Sequence, residues 1–132
     1  MVPGKSNQIA LEQDATTILV AEDEVLVRLD VSECLRAKGY NVLEASNAEE
    51  AIQILKSGQA VSLVFTDVRM PGALDGLDLA RYVRTHHPEV PVLITSGHLP
   101  ADEMPEELGQ LIAKPYRMEM IMLEITEKLQ ER

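Results

Sequence analysis

Three apolar runs in this chain end in charge. Ile18-Leu19-Val20-Ala21 runs into Glu22-Asp23, Val61-Ser62-Leu63-Val64-Phe65-Thr66 into Asp67, and Leu111-Ile112-Ala113 into Lys114. Each run has the length and flanks of a buried strand. In parallel sheets the ligand crevice lies at the carboxyl ends of the strands. Carboxylates and a lysine gathered there would make a cation site with a nucleophilic carboxylate beside it. Taken singly, each acid has a plain explanation. Asp67 can be a turn former, and Glu22-Asp23-Glu24 an acid cluster favoured by a helix N-terminus. At neighbouring strand ends, however, they repel one another unless a cation joins them. A shallow site with few protein oxygens suits Mg²⁺ with retained waters.

Lys114, between Ala113 and Pro115, can reach across the crevice to a carboxylate or a phosphoryl oxygen. Pro115 fixes the backbone beyond it; a cis Lys114–Pro115 bond would aim the lysine inward, although cis is the minority form of such bonds. Ser96 brings a hydroxyl to the end of another run, with Gly97 leaving space beside it. Alone, Ser96 reads as a turn serine.

The elements that must position these groups alternate along the chain. Strands are expected at Thr17 to Ala21, Tyr40 to Ala45, Val61 to Thr66, Pro91 to Thr95 and Leu111 to Ala113. Between and after them the spacing predicts helices. The first covers Val25 to Lys38, with Leu26, Leu29 and Leu35 on or near one face and Gly39 past its end. The second covers Ala48 to Ser57, with Asn47 and Glu50 suited to a capping box and Gly58 to its stop. The third covers Gly76 to His86, capped by Asp75 and stopped by Pro88. Glu103 to Leu108 allows only a short, irregular helix between prolines and Gly109, and Arg117 to Gln130 closes the chain with Ile121, Ile125 and Leu129 as its stripe. This pattern gives an α/β fold: a parallel five-stranded sheet covered on both faces, flavodoxin-like (βα)5, with strand order 2-1-3-4-5. Residues 1–15 read as a flexible tail and 16–132 as one domain.

Bulk properties narrow the function. The chain has 132 residues and a net charge of −10, from 12 Lys and Arg against 22 Asp and Glu. That supports one domain with a core and argues against direct nucleic-acid binding, which needs a basic face. The single cysteine, Cys34, permits no intrachain disulfide. It fits a reducing cytoplasm and reads as a core or boundary residue. No stretch approaches the ~20 apolar residues of a membrane span.

Taken in order on their strands, Glu22-Asp23, Asp67 with Met70-Pro71, Ser96-Gly97 and Lys114-Pro115-Tyr116 resemble the receiver domain of bacterial two-component response regulators. The resemblance covers Thr17 to Leu129. Each motif is weak alone, and the ordered set is specific. It implies that Asp67 is the phosphoacceptor. It implies that Asp23, Asp67 and the backbone carbonyl of Arg69 hold Mg²⁺, with Glu22 acting on the ion through water. It also implies that Ser96 binds a phosphoryl oxygen after transfer and that Lys114 pairs with the phosphoryl group. The implied donor is a sensor histidine kinase or a histidine phosphotransfer protein, and the implied output is a downstream protein target. Thr95 also carries a hydroxyl, but the count from Pro91 selects Ser96.

Three features depart from the family pattern. The loop Pro71-Gly72-Ala73-Leu74-Asp75-Gly76 is one residue longer than usual. The stretch from Ser96 to Lys114 is short and interrupted by Pro100, Pro105 and Gly109. Leu111 stands three residues before Lys114, where most receivers carry a Tyr or Phe switch. Phosphorylation is therefore expected to reorganise His98 to Gly109. Tyr116 reads as core packing. Of Met118, Met120 and Met122, not all can face the core, and His86-His87 read as a helix end.

A stand-alone receiver is the leading reading, and a weak homodimer is left open. The alternatives are a receiver cut from a hybrid kinase, a phosphate sink and, remotely, a Mg²⁺-dependent phosphohydrolase with an aspartyl-phosphate intermediate.

Overall fold

The computed structural model describes residues 16–97 and 104–131. Its elements are β1 (Thr17–Ala21), α1 (Val25–Ala37), β2 (Asn41–Ala45), α2 (Ala48–Lys56), β3 (Leu63–Asp67), α3 (Gly76–His86), β4 (Val92–Ser96), a 3-10 turn (Glu106–Leu108), β5 (Gln110–Ala113) and α4 (Met118–Gln130). All strand pairs are parallel, in the order β2-β1-β3-β4-β5, as the alternation predicts. The expected tail, residues 1–15, and residues 98–103 of the segment expected to reorganise lie outside the described residues.

The strands are apolar on both sides because both faces are covered. Leu19, Val64 and Ile94 point into a core with Ile52 and Leu55 of α2 and Leu79 and Val83 of α3. Ile18, Val20, Phe65 and Leu93 point the other way, onto Val31 and Leu35 of α1 and Ile121 and Ile125 of α4. This double burial locks the register, since a slip of one residue would exchange the two faces.

Register corrects the expected bounds of two strands. β3 begins at Leu63 rather than Val61 and ends at Asp67 rather than Thr66, with Asp67 paired with Thr95. Before it, Ser62 takes a loop role, and its hydroxyl accepts the Thr17 N–H at 3.2 Å. β4 runs one residue past Thr95, because Ser96 pairs with Ala113 and its carbonyl accepts the Lys114 N–H at 2.8 Å.

The stripe expected on α1 is also corrected. Leu26 is 77% exposed and Leu29 43% exposed, while Val31, Ser32 and Leu35 are buried. Leu29 is two residues from Val31, and Leu26 is nine from Leu35. At 3.6 residues per turn both fall on nearly the opposite side. On α2 the Asn47 side chain accepts the Glu50 N–H at 2.7 Å, as expected of a cap. The Glu50 carboxylate, however, turns to the Ser46 N–H at 2.8 Å, so the expected reciprocal box is not closed. α3 has the reciprocal box instead, between Asp75 and Asp78. The Lys114–Pro115 bond is cis, the minority form of such bonds.

Candidate functional site

The strand order places β1 beside β3 and β3 beside β4, so Glu22-Asp23, Asp67 and the end of β4 converge. One oxygen from each of Glu22, Asp23 and Asp67 lies within 4.8 Å of the others. Glu22 is fully buried, Asp67 is 6% exposed and Asp23 faces solvent. From β5, Lys114 extends its Nζ to Asp67 Oδ2 at 2.8 Å. The three acids and the lysine are thus brought together as their strand-end positions imply.

Glu22 Oε2 accepts the Glu24 N–H at 3.0 Å, while Oε1 is buried with no hydrogen-bond partner among the described residues. Burial pushes the Glu22 carboxyl up from 4.5 to about 7, and the Asp67 charge adds to the rise against the Glu24 N–H and Lys114. Burial by itself lowers Lys114, but the hydrogen bond and charge of Asp67, helped by Glu22, outweigh it and the net shift is upward. A divalent cation would join the clustered carboxylates and favour the ionised form of Glu22. Carboxylate oxygens with an orphan among them therefore fit a hard cation.

Asp67 and Thr95 are Cα partners across β3 and β4. Thr95 Oγ1 is buried with no partner among the described residues. Ser96 sits one step further out, at the strand end and 4% exposed. Beside it, among the described residues, a side chain at Gly97 would meet nothing nearer than Lys114 Cβ at 3.9 Å. Arg69 is exposed at the start of the loop after Asp67. Leu111 packs half-buried against the α2–α3 core, and Tyr116 against the α1–α4 core. Burial pushes the Tyr116 hydroxyl up.

Other residues singled out in the sequence take structural places. Cys34 is half-buried against the α1–α4 core. Met122 is buried, Met118 partly buried and Met120 49% exposed. His86 and His87 lie against the Tyr82 ring at the end of α3, away from the strand ends that carry the acids.

Two supporting residues carry no motif. Arg28 donates from Nη1 to the Glu22 carbonyl at 2.7 Å and from Nε to Glu44 Oε1 at 3.2 Å, tying the acid turn to α1 and β2. Glu49 Oε2 accepts the Ala73 N–H at 3.0 Å. Both are contacts between distant parts of the chain that periodicity does not signal. Only Gly72, in the lengthened loop, hints that something approaches closely there.

Known proteins share this fold. The family model described as the response regulator receiver domain matches residues 18–126. Sensor kinase CckA of Brucella abortus is 32% identical over 127 residues, covering 89% of this chain and 13% of that protein. Response regulator protein FleR of Pseudomonas aeruginosa is 31% identical over 112 residues, covering 82% of this chain and 23% of its own length. The chain therefore spans less than a third of either curated relative. Among solved structures, a response regulator receiver protein from Sinorhizobium medicae superposes with a TM-score of 0.80 at 31% identity, covering 89% of this chain and 96% of that one. The receiver domain of the hybrid histidine kinase CckA superposes at 0.73 and 33% identity, covering 86% of this chain and 98% of that one. The matched span takes in the strands that carry all three acids and the lysine, and the chain belongs to the response regulator receiver domain family.

Proposed function

We propose that this chain accepts a phosphoryl group on Asp67 from a sensor histidine kinase or a histidine phosphotransfer protein and signals by binding a downstream protein. The observation that carries this reading is the contact of Lys114 Nζ with Asp67 Oδ2 at 2.8 Å, beside the clustered Glu22 and Asp23. A buried carboxylate held by one lysine and facing two more acids is arranged to take a charged group and a cation together. In the transfer, an Asp67 oxygen attacks phosphorus, the phosphorus–nitrogen bond of the donor imidazole breaks, and its electron pair returns to the ring. Catalysis of this kind is mostly positioning and charge neutralisation.

In this reading Asp23, Asp67 and the Arg69 carbonyl hold Mg²⁺ directly and Glu22 acts on it through water. When bound, the ion neutralises charge on the transferring group. Lys114 meets a phosphoryl oxygen from the β5 side. Ser96 takes another with its hydroxyl, beside Gly97. The only reactions promoted are the chain's own phosphorylation and dephosphorylation. Residues 16–132 act as the receiver unit in the cytoplasm; no helix among the described residues is long and apolar enough to cross a membrane. The likeness to the CckA receiver supports a second reading of the same chemistry, as the receiver of a hybrid kinase or a phosphate sink.

Wild type incubated with Mg²⁺ and a small acyl-phosphate donor is expected to gain the mass of one phosphoryl group, and Asp67→Ala none. An adduct of equal yield in Asp67→Ala would defeat the assignment.

The exposed side of α1 supports a protein donor. Val25, Leu26 and Leu29 stand in solvent immediately after Asp23, forming an apolar surface beside the acceptor. Leu26→Asp is expected to slow phosphorylation by the protein donor about tenfold, with phosphorylation by the small donor unchanged. Equal slowing with both donors would show that the change disturbs the site and not docking.

A further inference from the structure

The loop between Asp67 and α3 is fastened at both its base and its apex. At the base, the Gly76 N–H donates to the Val68 carbonyl at 2.8 Å, and any side chain at Gly76 would collide with the Asp67 carbonyl oxygen. The loop is thus seated on the backbone of the acceptor itself. At the apex, Gly72 has φ +107°, a conformation that strongly favours glycine. A Cβ there would stand 2.8 Å from Glu49 Oε2 and 2.9 Å from Oε1.

The fastener at the apex is the Glu49 carboxylate, in the first turn of α2. Its Oε2 accepts the Ala73 N–H, while Oε1 is buried with no partner among the described residues. Burying a carboxylate oxygen unpaired is costly. The other acid of that turn, Glu50, is already used on Ser46, so α2 does not need Glu49 for its own cap. Pro71, Gly72 and Ala73 are otherwise exposed, and the Glu49 bond is the tie that holds this apex to α2. α2 crosses from β2 to β3 over β1, so the strap runs along the flank of the crevice in which Asp67 sits.

Resting on the phosphoacceptor reading of Asp67, we propose that Glu49 is a positioning residue that straps this loop as a wall of the crevice and so slows hydrolysis of the aspartyl phosphate. In that hydrolysis a water oxygen attacks phosphorus and the bond from phosphorus to the Asp67 oxygen breaks. Asp67 leaves as its carboxylate, and the proton goes to solvent with inorganic phosphate. A loosened apex lets the wall move and admits the attacking water.

The test uses wild type, Glu49→Ala, Glu49→Gln and Gly72→Ala. Each is phosphorylated with a small acyl-phosphate donor and Mg²⁺, freed of donor, and followed by intact mass; hydrogen exchange at the Ala73 amide is measured alongside. Glu49→Ala is expected to lose its phosphoryl group about fivefold faster, the effect of about one ordinary net hydrogen bond on a barrier. Gly72→Ala, which pushes the carboxylate aside, is expected to follow it. Glu49→Gln keeps an oxygen for the Ala73 N–H and is expected to restore the wild-type lifetime. Faster exchange at Ala73 with an unchanged lifetime overturns the proposal, since Glu49 would then be structural only. A wild type that takes up no phosphoryl group overturns the Asp67 reading and this one with it. An adduct whose lifetime ignores Glu49 and Gly72 overturns this one alone.

Discussion

Lys114→Met is expected to take up a phosphoryl group from a small acyl-phosphate donor about a hundredfold more slowly than wild type, the scale seen when one preorganised charge-stabilising donor is removed. Lys114 Nζ lies 2.8 Å from Asp67 Oδ2, and methionine keeps most of the side chain's length and none of its charge. The same change leaves Asp67, 6% exposed, beside two other acids with its cationic partner gone. In EDTA this is expected to lower unfolding stability by about 2 kcal/mol, below the full cost of breaking a deeply buried pair because the lysine is partly solvated. Mg²⁺ should recover much of that loss and bind more tightly than to wild type, since a positive charge has left its neighbourhood. The measurements are initial rates by intact mass and urea unfolding with and without Mg²⁺. A rate close to wild type would remove Lys114 from the transfer and leave it a structural partner of Asp67.

The part of this site that could be read in the sequence is the part written in strand ends. An apolar run that stops at an acid or a lysine identifies both the strand and the group it carries. β1, β3 and β5 follow that rule, so Glu22, Asp23, Asp67 and Lys114 were legible before any coordinates. Alternation of strand and helix with right-handed crossovers then fixes which ends are neighbours. What the sequence blurred was decided by contacts across the chain. On α1 the leucines do not share one face. Leu26 and Leu29 are exposed, and a serine, Ser32, is buried in the stripe that faces the sheet. The last residue of β4 was displaced because β5, distant in sequence, extends the ladder to Ser96. Arg28 and Glu49 were invisible for the same reason. Each is a charged residue on a helix, with nothing local to distinguish it from a solvated surface group. Their partners, Glu44 and Ala73, are supplied by the tertiary fold.

In EDTA, wild type is expected to lose stability as pH rises from about 5 to 8, and Glu22→Gln is expected to lose most of that slope. Glu22 is raised from 4.5 to about 7 in the folded chain, chiefly by burial. Between those values the folded state keeps a proton that the unfolded state has released. The folded state therefore binds more protons, and unfolding free energy falls as pH climbs through the window, levelling off above about 7. At 1.36 kcal/mol per pKa unit the fall has a ceiling of about 3 kcal/mol. Lys114 is also shifted upward, but its contribution is complete below its ordinary 10.5 and is lost only above that range, so it does not tilt this window. Glutamine cannot ionise and carries a donor besides its acceptor oxygen, so Glu22→Gln should be the more stable protein at pH 8 without metal. With Mg²⁺ present the order should reverse, because the cation favours the ionised carboxylates and releases the Glu22 proton on binding. Urea unfolding of both proteins at pH 5 and 8, in EDTA and in Mg²⁺, resolves this. A difference between them that stays the same at both pH values would show that the metal-free acid cluster does not retain the Glu22 proton in EDTA, and that the orphaned oxygen is tolerated for another reason.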